Sequence, residues 1–269
     1  MIYRSACGQT VFCTDRGIRC ADATMTNLEL PWLQPHQPFP PPDSALGADS
    51  PWPGLLAAGE TLDANTLIAA YSSGIFPWYG PGEPVLWWST DPRMVLMPDN
   101  FRLHPSLHKT LRAFMQRSDA TIRIDTAFDL VVQQCAAPRP QQNGTWITPA
   151  IRQSYGELHR RGLAHSVETW VGEMLVGGLY VVALGRAVFG ESMFSRQSDA
   201  SKIALAALVC LCRAHGVPLI DCQQQTTHLA RLGAHAISRA DFLDTIKQAQ
   251  QQPTMRWQFD HTLWDALLR

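Results

Sequence analysis

Charge is scarce in this chain. Asp, Glu, Lys and Arg make up 17% of its 269 residues, and they cancel to a net charge of −1. A balance so near neutral gives no whole-chain field for nucleic acid or an anionic surface. Long apolar runs are missing too. None approaches the roughly 18 uninterrupted apolar residues of a spanning helix, so no membrane association is expected. The opening MIYRSACGQTVFC has no basic start followed by an apolar core, so no secretory leader is expected. The 7 cysteines are odd in number and form no paired framework. That excludes a disulfide scaffold and points to free thiols in a reducing, cytoplasmic setting. Cys7, Cys13 and Cys20 match no zinc spacing and have no histidine nearby. A Gly-x-Ser-x-Gly nucleophile elbow is absent as well.

Apolar residues, 46% of the chain, are plentiful enough for one large core or two modest ones. Residues 1–30 show little periodicity and are expected to be a disordered extension. Residues 31–53 are proline-rich, which favours extended or turn backbone and forbids helix. With the stretch up to residue 95 they form the expected small N-terminal domain, and 96–269 the larger one. A short helix is predicted over 62–73, capped by Asp63 and ended by Gly74. The following GIFPWYGPGEPVLWWSTDPR carries Trp78, Trp87 and Trp88 among prolines and reads as rigid aromatic loops.

Helices are predicted over 106–115, 127–135 and 148–161, the last started by Thr148-Pro149, with a strand over 121–124. Strand character then recurs over 164–171, 174–184 and 187–194. The separators are Gly172-Glu173 and Gly185-Arg186, the signature of an antiparallel meander. An alanine-rich helix follows, capped by Ser198 or Asp199 and ending before Gly216. Strand 217–223, helices 226–232 and 239–250 and a final strand 256–259 complete the reading. This succession argues for α+β layering with a mostly antiparallel sheet.

Residues 190–223 carry the densest chemistry. Alternation in a strand puts Asp221 and Gln223 on one face and Cys222 on the other, with Glu191 ending a neighbouring strand. Two carboxylates and an amide at strand ends could orient an amine or take its proton. Asp221 could equally cap a loop or pair with an arginine. Cys222 could pair with His228 or be a buried structural thiol. Between 101 and 118, Arg102, Lys109, Arg112 and Arg117 occur with His104, His108 and no acid. Such a run is either a solvated helix face or a phosphate-facing patch.

Seven segments in order resemble the leucyl/phenylalanyl-tRNA–protein transferase family. They are GIFPW (74–78), LWWSTDPR (86–93), GTWIT (144–148), GESMFS (190–195), ASK (200–202), LIDCQ (219–223) and HLARLGA (228–234). The resemblance implies a small N-terminal domain beside an acetyltransferase-like (GNAT-related) domain. It also implies transfer of leucine or phenylalanine, and possibly methionine, from aminoacyl-tRNA to the α-amino group of proteins starting with Arg or Lys, as in the N-degron pathway. No metal or small cofactor is implied, and a monomer is expected. By the same resemblance Asp221 and Gln223 are the catalytic pair. Trp78, Trp146 and Glu191 surround the aminoacyl-adenosine, and Met193, Ser195 and Leu205 are further substrate contacts. Arg102, Lys109 and Arg112 become tRNA-phosphate contacts. Rival readings are an acetyl-CoA-dependent N-acetyltransferase and a non-enzymatic RNA- or peptide-binding adaptor. The first would need a pyrophosphate loop, which residues 159–164 approximate. The second would use the proline-rich head.

Overall fold

A computed structural model describes residues 30–138 and 145–268, and the backbone of 2–4, 10–14 and 17–20. Strands β1 (Ile2–Arg4), β2 (Thr10–Thr14) and β3 (Gly17–Cys20) pair antiparallel in that order, inside the segment expected to be disordered. The rest of 1–29, with Met25 and Cys7, lies outside the described residues. The chain divides into two compact units, one of residues 1–91 and 138–154 and the other of 92–137 and 155–269. The first change of unit is close to the boundary read at residue 95. The return over 138–154 has no counterpart in the sequence reading.

In the first unit, β4 (Trp32–Leu33) pairs parallel with β5 (Leu55–Gly59), whose five residues are all buried. Helix α1 (Ala64–Ser72) starts where Asp63 accepts the Thr66 N–H at 2.8 Å and ends before Gly74 at φ +70°. The stretch read as loops instead folds into β6 (Phe76–Pro77) and β7 (Val85–Trp88), which pair antiparallel and extend the sheet from β5. Its prolines permit this because of where they fall. Pro77 ends an edge strand, and Pro81 and Pro84 sit in the connecting turn, so no ladder bond is lost. Trp87 is buried against the edge of Phe39, ring centroids 4.8 Å apart.

In the second unit β8 (Arg93–Leu96), α2 (Pro105–Met115), β9 (Ala120–Ile124) and α3 (Phe128–Cys135) come first. Helix α4 (Pro149–Arg160) starts in the first unit and ends in the second. The predicted meander follows as β10 (Ala164–Val171), β11 (Met174–Leu184) and β12 (Ala187–Ser195), turning at Gly172 and Gly185 with φ +57° and +60°. After α5 (Ala200–Ala214) come β13 (Ile220–Gln223), α6 (Thr227–Arg231), β14 (His235–Ile237), α7 (Arg239–Gln250) and α8 (Asp265–Leu268). The seven strands run β14-β8-β13-β12-β11-β10-β9, antiparallel everywhere except β12 beside β13. This is a mixed α+β architecture. Residues 256–259, predicted as a strand, form none, the Gln258 N–H instead donating to the Arg256 carbonyl at 2.9 Å, and β13 begins at Ile220 rather than at 217.

Helix α5 explains the alanine richness. Eleven of its residues are buried, because it lies between the sheet face of Leu179 and Val181, the apolar stripe of α2 and the C-terminal Trp264. Phe128 and Tyr155 pack on Tyr180, which alternation puts on the opposite sheet face. Asp199 stands at the N-cap of α5 without capping it. At φ +62°, its carboxylate instead takes the Lys202 ammonium at 2.7 Å and the Thr110 hydroxyl at 3.2 Å. The first-turn N–H of Ser201 is received by Ser195 Oγ at 3.2 Å.

Gly233 has φ +105°, and a Cβ there would lie 2.0 Å from the Asn100 carbonyl oxygen. Gly233→Ala should therefore cost about 3 kcal/mol, the upper end of overpacking penalties. Gly172→Ala, at φ +57° with nothing within 4 Å, isolates the left-handed backbone term of about 1–2 kcal/mol. Equal denaturation midpoints for the two variants would disprove the close approach.

Candidate active site

The site begins with two irregularities on neighbouring strands. β12 and β13 pair in parallel only through Val188 with Ile220 and Phe189 with Asp221. Just beyond, the β12–β11 register steps from Gly190 opposite Val181 to Ser192 opposite Tyr180, leaving Glu191 as the extra residue. On β13 the partner of Asp221 is Val95 and that of Gln223 is Met94, leaving Cys222 as the extra residue. Bulges bend a strand and re-aim its side chains. The parallel pair thus parts at its carboxyl ends, the position where open sheets receive ligands.

Side chains bridge the parted strands. Gln223 Nε2 donates to Glu191 Oε1 at 3.3 Å, and the Tyr155 hydroxyl donates to Glu191 Oε2 at 2.9 Å. Gln223 itself has φ +62°, unusual for a residue with a long side chain, and its N–H donates to Asp221 Oδ1 at 2.9 Å. Asp221 and Arg93 are both fully buried. Arg93 Nε and Nη2 donate to the two carboxylate oxygens at 2.8 and 2.6 Å, and the guanidinium lies 4.5 Å from the centre of the Phe242 ring. Asp221 therefore receives three N–H donors and no solvent.

This changes the expected division of labour. Simple alternation would put Asp221 and Gln223 side by side in one cleft. The bulge at Cys222 intervenes, so that Asp221 turns inward onto Arg93 while Gln223 meets Glu191. The arginine pairing left open from the sequence is the one found. Burial first, and then the Asp221 charge, push the half-buried Cys222 thiol well above its ordinary pKa, which fits the structural-thiol reading. Cys210 lies in the core, its thiol pushed up by burial to about 12. Tyr180, beneath the site, is raised too, by burial and then by the Glu191 charge.

Of the remaining expected residues, Met193 is partly buried against the core and Leu205 is buried in it. Ser195 is exposed and committed locally, donating to the Gln197 carbonyl at 2.8 Å while receiving the Ser201 N–H. Trp78 and Trp146 belong to the first unit. Trp78 meets Trp88 edge-on at 5.6 Å, and the Trp88 indole N–H donates to the Trp78 carbonyl at 2.7 Å. A hydrogen bond between Tyr79 and Thr148 ties the segments carrying the two tryptophans. Arg102, Lys109 and Arg112 are exposed on and just before α2, whose buried stripe is Leu107, Leu111 and Phe114. A cavity of about 250 Å3 in the first unit, lined by Leu33, Phe39, Ala69 and Trp87, holds none of the expected site residues.

Two residues of the site escaped the sequence reading. Arg93 was visible within LWWSTDPR, but its partner lies 128 positions away. Tyr155 carried no signal beyond a helical apolar face. The pyrophosphate-loop rival loses its charges, since Arg160 and Arg161 both pair with Glu157, at 2.7 and 2.8 Å. Among the described residues no three His, Cys, Asp or Glu side chains cluster as metal ligands would, and no helix is long and apolar enough to cross a membrane.

Comparison with known proteins agrees with the motif order. Residues 95–247 match the family described as leucyl/phenylalanyl-tRNA protein transferase, and 60–91 match the N-terminal domain of that family. A protein of Albidiferax ferrireducens named leucyl/phenylalanyl-tRNA–protein transferase is 60% identical over 240 residues, 89% of this chain and 94% of its own. A protein of the same name from a Polaromonas species is 57% identical over 240 residues, 89% and 94% of the two chains. One from Cupriavidus taiwanensis is 56% identical over 234 residues, 86% and 94% of the two chains. The chain belongs to the leucyl/phenylalanyl-tRNA–protein transferase family.

Proposed function

We propose that this protein moves leucine or phenylalanine from an aminoacyl-tRNA to the free α-amino group of a protein beginning with Arg or Lys. The new peptide bond would convert that protein into a substrate for degradation. The observation that carries the reading is the Gln223–Glu191 contact at the parted ends of β12 and β13, within a chain of this family. A meander, a long helix and a splayed parallel pair, in that order, support an acetyltransferase-like catalytic unit. The thiols of Cys135, Cys210, Cys212 and Cys222, all free of disulfide partners, fit a reducing cytoplasmic setting.

The chemistry asks little of the protein beyond placement. An ester to tRNA is already activated, and an α-amine with pKa near ~8 is partly unprotonated at neutral pH. With its Nε2 on Glu191, the Gln223 amide turns its carbonyl end to the amine N–H. Glu191, held by Tyr155, fixes that orientation. The amine nitrogen bonds to the ester carbonyl carbon, the carbon–oxygen bond to the ribose breaks, and the amine proton passes to the leaving ribose oxygen. Asp221, shut away on Arg93, holds the backbone of Gln223 in place and does not collect the proton. Aromatic faces such as Trp78 and Trp146 suit the terminal adenine, at about 1–3 kcal/mol per stacked base. Met193 and Leu205 would line the side of the donor's apolar side chain, methionine adapting to leucine, phenylalanine or methionine.

The test is transfer of labelled leucine or phenylalanine from charged tRNA to a peptide beginning with arginine, with the protein assayed as a monomer. Incorporation that disappears when the peptide N-terminus is acetylated is the expected result. Acetylation from acetyl-CoA without aminoacyl transfer would sink the proposal.

A further inference from the structure

Beneath the site lies a buried hydroxyl with no protein partner. Tyr180 of β11 is fully buried, and its phenol oxygen makes no hydrogen bond among the described residues. Its ring is held edge-on by Phe128 at 6.1 Å and by Tyr155 at 5.5 Å between centroids. Those contacts ask only for an aromatic ring, and phenylalanine would make them equally well. The hydroxyl is what needs a cause, because a buried polar group left unpaired works against folding.

Two carboxylates share this side of the sheet, and one is already filled. Ser166 is the β10 partner of Tyr180, and its hydroxyl donates to Glu168 Oε1 at 2.7 Å. Glu168, fully buried, also accepts from the Thr126 hydroxyl, the Ala127 N–H and the Trp170 indole. Glu191 is the other. On β12 the partner of Tyr180 is Ser192 and that of Val181 is Gly190, so Tyr180 stands at the step where Glu191 is the extra residue. Tyr155 touches both, its ring against Tyr180 and its hydroxyl on Glu191 Oε2 at 2.9 Å. Burial, then the Glu191 charge, and least of all Cys135, hold the Tyr180 phenol well above its ordinary pKa. The phenol is thus a standing donor beside a carboxylate that it does not bond directly.

A polar pair too far apart for one hydrogen bond is joined by water where the water finds about two to four polar partners. The Tyr180 hydroxyl, the Glu191 carboxylate and the Cys135 thiol are three such groups around one place.

We infer that Tyr180 is a positioning residue for the transfer reaction, holding Glu191 from beneath through one buried water. The water accepts from the phenol and donates to the carboxylate, adding to the holds of Tyr155 and Gln223. Glu191 in turn keeps the Gln223 amide aimed at the amine. The role assigned to Glu191 rests on the proposed transfer, whereas the water does not.

The experiment uses the full chain with Tyr180→Phe and has two readouts. A crystal structure of the wild-type protein should show a water about 2.7–3.2 Å from both the Tyr180 oxygen and a Glu191 carboxylate oxygen. Tyr180→Phe should lose that water. In transfer of labelled leucine or phenylalanine, the variant's kcat should fall about tenfold, short of the 10²-fold of a directly misplaced group, and its donor KM should hold. Placed in a Glu191→Gln protein, the same substitution should cost nothing further, because its effect runs through the carboxylate. Wild-type kcat in Tyr180→Phe overturns the inference. So does an equal fall in both backgrounds, a change confined to KM, or a crystal structure with no water on the Tyr180 oxygen. A wild-type protein that transfers nothing would overturn the proposed function instead, while the crystal structures still decide the water.

Discussion

Asp221→Ala should lose at least about 10²-fold in transfer, as small misplacements of positioned groups do, and should also melt earlier. Both effects come from one place. The substitution leaves the Arg93 guanidinium, fully buried, without the carboxylate that holds it at 2.6 and 2.8 Å. Removing one partner of a buried ion pair costs about 3–5 kcal/mol, a large part of the roughly 5–15 kcal/mol that holds a domain. The same change removes the acceptor of the Gln223 N–H. Arg93→Met/Asp221→Leu should regain much of the stability, because neither charge is then stranded. Transfer should stay low in the double variant, since Gln223 still lacks its anchor. Asp221→Asn separates the roles. If Asp221 positions, kcat falls while the pH–rate profile keeps its shape. Loss of the acidic limb of that profile would make Asp221 the base. Wild-type melting in Asp221→Ala would refute the buried pair.

Gln223→Gly should do the opposite to stability. A non-glycine residue in the left-handed region costs about 1–2 kcal/mol, and Gln223 is held there at φ +62°. Glycine removes that strain and keeps the N–H that Asp221 accepts. The amide that meets Glu191 is lost, however, and kcat should fall about 10²–10³-fold, as when one oriented polar group leaves an active site. The donor KM should barely move. Gln223→Asn tolerates the backbone and keeps an amide, one methylene short of a contact that is already 3.3 Å long, so its rate should lie between. Thermal unfolding and saturating-donor kinetics decide it. Wild-type turnover in Gln223→Gly would remove Gln223 from the chemistry. A stable, inactive variant would fit strain kept for function.

Much of the fold was legible because its causes are local. Gly172 and Gly185 must turn with positive φ, so three strands became a meander. Thr148-Pro149 starts a helix whatever surrounds it, and the seven motifs in order identify the family without any coordinates. The sequence also put Glu191, Asp221 and Gln223 at strand ends within one stretch. It misread residues 74–93 for a related reason. Tryptophan and proline together look like loop until the prolines are known to sit at a strand edge and in a turn, which is where β6 and β7 put them.

What only the tertiary structure decided is the surroundings of those three residues. Arg93 must travel 128 positions to meet Asp221, and it does so because β8 inserts between β13 and β14. No local propensity encodes that pairing. Two bulges, each defined only by the register of a partner strand, then turn Asp221 into the core and bring Gln223 to Glu191. Alternation along a single strand cannot foresee a bulge, because the extra residue exists only relative to its neighbour. Residue types at the strand ends are a property of the sequence. Which of them meets its neighbour across the parted strands and which is buried on an arginine depends on strand pairing across the sheet.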